Sequence, residues 1–358
     1  VSEIFAIAKK FLPQATITNL QKYGCGNINS TFLVTTDSLI KPRYILQQLN
    51  TQVFSQPLLV MDNICLVSSH IQAKLSEDDC WRVPQVLLTD NQQHHYQDER
   101  GFFWRAMSFI DHSLCLEQVQ NLAHAQEIGY GLGKFHSLIS DLSITKLGDT
   151  LPGFHLTPNY LKSYDQIQKI IKIPATIEVN YGLNFISERR NSVGILETAK
   201  AQGLLKLRPI HGDPKINNIL LDCDTQKAIA MIDLDTVKPG LIHYDLGDCL
   251  RSGCNLLGEE TLAWEQVKFD LEVAREILRG YLTIAQNFLT EYDYQYIYDG
   301  IRLIAFELGL RFFTDYLAGN VYFKTNYPEH NLLRALVQFK LTESIENQET
   351  IIRKMILD

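Results

Sequence analysis

The chain has 358 residues, 46% hydrophobic and 21% charged, with 20 glycines and 11 prolines, a balance that suits a buried core and excludes disorder over most of its length. That length exceeds one compact core and predicts two domains or two closely joined lobes. A net charge of -8, with no run of lysine and arginine, argues against a nucleic-acid partner, which needs a concentrated positive surface. Cysteines stand at 25, 65, 80, 115, 223, 249 and 254, an odd number without a C-x-x-C pair. Reduced thiols are therefore expected, not a disulfide framework or a zinc site. No apolar stretch approaches the roughly 20 residues that span a bilayer, and Val1 to Lys10 lacks a signal peptide's long apolar core. The expectation is a cytoplasmic protein with no membrane partner.

The first third reads as strand-rich. Tyr23-Gly24-Cys25-Gly26-Asn27-Ile28-Asn29-Ser30-Thr31 precedes the first clear strand. Its glycines would let backbone amides approach phosphates, although an ordinary hairpin uses the same residues. The β-prone runs Thr31 to Thr36 and Arg43 to Gln47, separated by Asp37-Ser38 and Lys41-Pro42, predict paired strands. His94-His95 and Asp78-Asp79 read as solvated surface. Gly101 to Ile110 predicts a buried strand leaving the sheet, and the lobe boundary is placed there, giving units 1–110 and 111–358.

From about residue 121 the period changes. Leu122, Ala125, Ile128, Leu132, Phe135 and Ile139 recur at helical spacing. Within that stripe, Gly129-Tyr130-Gly131-Leu132-Gly133-Lys134 lacks the G-x-x-x-x-G-K-S/T spacing of a phosphate loop and reads as close helix packing. Ile219-Leu220-Leu221 and Ile229 to Ile232 flank a turn-rich segment and predict a hairpin. No proline falls between Pro239 and Pro328, and Ile297, Ile301, Ile304, Leu308 and Phe312 follow another helical stripe. A strand-rich lobe, a connector and a helical lobe with one hairpin make an α+β plan.

The strongest chemical signal is His211-Gly212-Asp213-Pro214-Lys215-Ile216-Asn217-Asn218, followed after the hairpin by Ile232-Asp233-Leu234-Asp235. Phosphoryl transfer to a hydroxyl needs a group to orient the nucleophile and ligands to hold Mg²⁺ on the phosphates. Asp213 would serve the hydroxyl. Asn218 and Asp233 would supply hard oxygen ligands of the kind Mg²⁺ prefers. Turn chemistry, with Asp and Asn capping backbone groups, is the plainer use of such residues.

These two motifs, in this order and joined by a hairpin, resemble the aminoglycoside phosphotransferase and choline kinase family, a small-molecule branch of the two-lobed protein-kinase-like fold. The resemblance implies ATP and Mg²⁺ as cofactors, with Asp213 and Lys215 catalytic and Asn218 and Asp233 on the metal. It implies Gly24, Gly26 and Asn27 near the nucleotide, and support of the catalytic loop by His211, Asp245 and Asp248. The chain departs from the family where a lysine should stand on the third strand. Gln47 is the best-aligned residue, and Lys215 or Arg43 is expected to substitute.

Leu308 to Phe323, Tyr327 to Asn331, Tyr44 to Gln47 and Ile232 to Thr236 resemble the N-acetylhexosamine 1-kinase branch. That likeness implies that Arg311 and Tyr322 contact a sugar whose anomeric hydroxyl Asp213 aligns; a core or surface role for both is the plainer alternative. A kinase of an amino alcohol, homoserine or aminoglycoside stays open, as does a nucleotide-binding pseudokinase scaffold. Oligomeric state is not legible.

Overall fold

The computed structural model describes residues 2–24, 28–171 and 176–357. Helix α1 (Ser2–Phe11) opens the chain, followed by strands β1 (Ile17–Lys22), β2 (Ser30–Thr36) and β3 (Arg43–Leu49). Helix α2 (Pro57–Gln72) then leads to β4 (Val86–Leu87), β5 (Tyr96–Gln97) and β6 (Phe103–Ser108). The sheet runs β1-β2-β3-β6-β4, with β5 also on β6, and its pairs are antiparallel. Side chains alternate across a sheet, so Phe32, Val34, Tyr44, Leu46, Trp104 and Ala106 share one face, which buries Ile7, Ala8 and Phe11 of α1. The expected strands are present. The two helices are not in the strand-rich expectation: β-branched and aromatic runs dominate that third, and α1 and α2 hold their places by tertiary packing.

Pro57 starts α2 at a position where no backbone donor is needed. Its stripe of Val60, Met61, Ile64, Val67 and Ile71 is fully buried, in the same apolar cluster as the next long helix. Asn63, buried on α2, donates to the carbonyls of Gly148 (2.9 Å) and Val237 (2.8 Å) and accepts the Gly148 N–H (3.0 Å). The pair His94-His95 is not fully solvated, because His95 stacks on Phe103 at 4.6 Å between ring centres.

The helical lobe follows strand β7 (Ser113–Cys115): α3 (Leu122–Ile139), α4 (Thr157–Ile170), α5 (Ile177–Arg189), α6 (Ile195–Ala201) and strand β8 (Arg208–Ile210). Next come the hairpin β9 (Ile219–Asp222) and β10 (Ala228–Met231), then β11 (Lys238–Gly240), which pairs with β8. Helices α7 (Ile242–Gly253), α8 (Leu271–Ala285), α9 (Glu291–Leu317), α10 (His330–Asn347) and α11 (Glu349–Leu357) complete the lobe. Ile219, Leu221, Ala228 and Met231 of the hairpin pack into one cluster with Ala125, Ile128, Leu132 and Phe135 of α3, which seats the hairpin on a rigid helix. The two-lobed architecture is that of the protein-kinase-like fold. Among the described residues, no helix is long and apolar enough to cross a membrane.

Helices α3 and α8 approach with backbone almost in contact. A Cβ at Gly129 would lie 1.9 Å from the Ile277 carbonyl oxygen, and one at Gly280 would lie 2.0 Å from that of Gln126. Gly129 and Gly133 of the Gly129 to Lys134 segment thus serve helix packing, while Gly131 faces Ile219 and Ala228 of the β9–β10 hairpin. Gly129→Ala is expected to lower stability by about 1–3 kcal/mol through overpacking, measured by urea unfolding. Gly194→Ala, whose new Cβ meets nothing nearer than 3.8 Å, should stay within about 0.5 kcal/mol of the parent.

Candidate active site

Pairing of β8 with β11 and of β9 with β10 lays two turns side by side: the loop His211 to Asn218, and the turn that begins at Asp233. Gly212 sits at φ +89°, and a Cβ there would fall 2.6 Å from the Thr236 carbonyl oxygen. Only glycine permits both that backbone and that approach. Thr236 Oγ1 donates to the His211 carbonyl (2.8 Å), and His211 Nε2 donates to the Ile232 carbonyl (2.8 Å). Burial lowers the His211 pKa, and its Nδ1 accepts the Asp213 N–H at 3.3 Å. His211 is therefore a neutral brace between the turns.

Asp245, on the first turn of α7, is completely buried. Its carboxylate accepts the N–H of His211 (2.6 Å) and of Gly212 (2.8 Å), and His136 of α3 donates to it at 2.8 Å. Burial opposes ionisation of Asp245, yet the His136 hydrogen bond and charge outweigh it and hold the pKa below the ordinary carboxylate value. Asp248 faces Arg251, with Oδ1 2.8 Å from Nε, and Arg251 reaches on to Glu259 at 3.2 Å.

Asp213 and Lys215 face each other across 3.1 Å. Burial pushes the Asp213 carboxyl up, but the Lys215 charge and hydrogen bond pull it below the ordinary value. The same partner, with Asp248 and Glu259 adding, raises the Lys215 pKa. Asn218 donates from Nδ2 to the Asp213 carbonyl at 2.8 Å, which commits its amide nitrogen and leaves the amide oxygen for another group. Asp233 adopts left-handed backbone, φ 62° and ψ 54°, a conformation rare outside glycine that clusters at functional sites. Solvent reaches its side chain, although protein atoms crowd its carboxyl. Desolvation there, then the charges of Asp235 and Asp213, push its carboxyl up to about 7, against the pull of Arg105 and Lys215.

A carboxylate made costly by neighbouring carboxylates is one that a cation relieves. Among the described residues, no three acidic, histidine or cysteine side chains form a ready-made cage. Asp233 with the Asn218 oxygen instead fits Mg²⁺, which takes one or two protein carboxylates and fills its shell with phosphate oxygens and water.

In the strand-rich lobe, Gly24 lies at φ +73° with open space around it, while Gly26 and Asn27 fall outside the described residues. Gln47 is engaged within the sheet: it donates to Thr31 Oγ1 (3.0 Å), and its Oε1 accepts from Arg105 Nε (2.9 Å) and Nη2 (2.8 Å). Arg43 and Lys215, the cations expected to stand in for a third-strand lysine, are both paired with aspartates. Arg43 pairs with Asp111 and lies over the Phe109 ring, and Lys215 is held by Asp213. The cation beside Gln47 is Arg105, directly opposite it in the β3–β6 ladder and 2.5 Å from Asp235. Its signal in the sequence was a lone arginine inside the apolar run Phe102 to Ile110, since a charge in a buried strand requires a partner.

On the other side of the catalytic loop, Arg311 of α9 is ringed by Phe154 (5.2 Å), Tyr160 (5.0 Å), Tyr322 (5.9 Å) and Phe323 (5.4 Å), from guanidinium carbon to ring centre. It has no hydrogen-bond or ion-pair partner among the described residues. The segment bearing Tyr322 is pinned by Asp315, whose carboxylate accepts the N–H groups of Val321 (2.9 Å), Tyr322 (2.8 Å) and Phe323 (3.0 Å). Glu307, one turn before Arg311, is occupied by His155 Nδ1 (3.0 Å) and Thr157 Oγ1 (2.7 Å). His155 Nε2 donates to the Gly212 carbonyl at 2.8 Å, so α9 is bonded to the catalytic loop through one histidine.

The sequence profile of the phosphotransferase enzyme family matches residues 19–281, more than half of the chain and including both turns. The chain belongs to that family. It is a small-molecule phosphotransferase. Solved structures of similar fold include an aminoglycoside phosphotransferase from Alicyclobacillus acidocaldarius, at 15% identity over 98% of this chain and 96% of that one, with a TM-score of 0.59. A choline kinase from Cryptosporidium parvum matches at 16% identity over 99% and 97%, with a TM-score of 0.58. A spectinomycin phosphotransferase solved with ADP and spectinomycin matches at 13% over 99% and 97%, with a TM-score of 0.54.

His155 supplies a pH test of the brace in this phosphotransferase. Burial disfavours its charged form, but the Glu307 charge and hydrogen bond, the Gly212 carbonyl and the more distant Asp248 outweigh burial and raise its pKa; the Phe154 and Tyr244 rings cover it. A raised folded-state pKa gives stability that is complete below about pH 6.5 and is lost as pH rises through the folded value. Urea unfolding of the parent should therefore weaken across that rise more steeply than unfolding of His155→Gln. Parallel profiles would mean that His155 is neutral in the fold.

Proposed function

We propose that the chain transfers the γ-phosphoryl group of ATP, with Mg²⁺, to a hydroxyl of a small polar metabolite. The observation that carries this reading is the braced pair of turns that sets Asp213 and Asn218 beside the turn bearing Asp233, with a guanidinium at Arg311 that has no hydrogen-bond or ion-pair partner among the described residues. Residues 1–110 would form the nucleotide-binding unit and 111–358 would carry the catalytic loop and the acceptor site. That the similar spectinomycin phosphotransferase was solved with ADP supports nucleotide use here.

In this reading Asp233 and the Asn218 oxygen would hold Mg²⁺, which would supply positive charge to the phosphate oxygens. Asp213 accepts a hydrogen bond from the acceptor hydroxyl and aims its oxygen at the γ-phosphorus. The new O–P bond forms as the bond to the ADP oxygen breaks, and the hydroxyl proton passes to Asp213. Its pKa, held low by Lys215, suits a loose transition state in which the proton leaves late and alignment matters more than base strength. Lys215, half-exposed beside it, faces the charge on the moving phosphoryl group.

For the acceptor, an N-acetylhexosamine or related sugar phosphorylated at its anomeric hydroxyl suits the pocket best. A guanidinium with free donors among four aromatic rings offers hydrogen bonds to sugar oxygens and flat apolar faces to the ring. Glu307, the carboxylate nearest along α9, is already occupied by His155 and Thr157. A cationic amino alcohol or aminoglycoside would meet the positive charge of Arg311 with no free carboxylate on that helix turn to answer it.

Asp213→Asn should lower kcat by about 10²–10⁴-fold while leaving Mg·ATP affinity nearly unchanged; activity within a few-fold of the parent would sink the catalytic assignment. Asp233→Ala should abolish Mg²⁺-dependent nucleotide binding in calorimetry. For the acceptor side, Arg311→Ala should raise the sugar KM more than the ATP KM, and phosphorus NMR of the product should show an anomeric phosphate. Turnover of choline or homoserine, with none of any hexose, would refute the sugar while leaving the kinase.

A further inference from the structure

Arg105 is the residue least expected where it stands. Its side chain is 1% exposed and that of Asp235 is 4% exposed, and burying two charges is costly unless the geometry is good and the remaining polar atoms are engaged. Nε and Nη2 of Arg105 share the Gln47 oxygen, and Nη2 also reaches Asp235 Oδ1. Asp235 Oδ2 accepts from Asn29 Nδ2 at 2.7 Å, and Asn29 Oδ1 accepts the Asn50 N–H at 3.0 Å. Asp235 Oδ2 is thus hydrogen-bonded by the strand-rich lobe and Oδ1 stands in ion-pair contact with Arg105 without a hydrogen bond, a bond that Arg105 Nη1 also lacks, whereas Asp233, two residues earlier, is exposed. The segment entering β2 and the middle of β6 meet the metal-side turn at this one carboxylate, with Gln47 of β3 behind Arg105 and Asn50, just after β3, behind Asn29.

We infer that Arg105 is a positioning residue for phosphoryl transfer, which through Asp235 locks the strand sheet onto the turn carrying Asp233 and so sets where the nucleotide phosphates lie. The inference rests on the kinase reading and assigns Asp235 to the lobe junction instead of the metal. It also accounts for Gln47 on the third strand: a neutral acceptor is needed there to hold the arginine arriving from the neighbouring strand, and a lysine would repel it. Arg105 is too enclosed to touch a phosphate itself. It acts by fixing Asp235 and by leaving a positive charge beneath the nucleotide cleft.

The test is calorimetry of Mg·ATP binding beside steady-state kinetics on the full chain. Arg105→Gln is expected to weaken Mg·ATP binding and raise the ATP KM by about tenfold, within the range by which residues that do not touch a ligand change its affinity, with the acceptor KM within about twofold. Arg105→Lys should recover part of the affinity, because it restores the charge without the forked geometry. Asp235→Asn should match the glutamine variant, and the double variant should be no worse than the poorer single, since the two act as a unit. Parent-like Mg·ATP affinity in Arg105→Gln, with only the melting temperature lowered, would overturn the inference, as would additive losses in the double variant. Should Arg105→Gln not fold, Gln47→Leu decides: a several-fold weaker affinity supports the relay and parent-like affinity overturns it. A parent protein that binds no Mg·ATP would overturn the kinase reading itself, which separates that failure from failure of the Arg105 role alone.

Discussion

The site depends on one buried carboxylate. Asp245 accepts the amides of two consecutive residues, His211 and Gly212, and so fixes the direction in which the next residue, Asp213, leaves the loop. Two successive amides pointing at one anion form a rigid fork, and a buried anion is tolerable only while those bonds are made. His136 completes the set from α3. The catalytic loop is thereby referenced to α3 and α7, two helices of the large core, and not to its own sequence. The close approach of Gly212 to Thr236 then carries the same reference to the turn that bears Asp233.

Around that frame the charges are unevenly compensated. Asp213 has Lys215, Asp235 has Arg105, Asp245 has His136 and Glu307 has His155. Asp233 has no ion-pair partner among the described residues, and Arg311 has none either. In the proposed function these two groups would be completed by ligands, a cation at Asp233 and hydrogen-bond acceptors at Arg311. The loop of Asp213 is bonded to the turn bearing Asp233 through His211 and Thr236 and to α9 through His155.

Much of this was legible in the sequence because it is local. The strand runs of β2, β3 and β6, the stripe of α3, the β9–β10 hairpin and the long α9 follow from periodicity, and the hairpin between the two motifs already implies that their residues lie near each other. Helices α1 and α2 were not legible, since they lie in a segment whose propensity favours strand and are held by the sheet and by α3. Sequence alone therefore determined the family, the two-lobed plan and the candidate residues Asp213, Asn218 and Asp233. Only the tertiary structure decided how charge is distributed among them. Arg105 and Asp235 are 130 residues apart, His155 and Glu307 are 152, and no periodicity or spacing links residues so distant. Their pairing is imposed by burial, because a charged group enclosed by the fold must find whatever opposite charge the packing of other elements brings within reach.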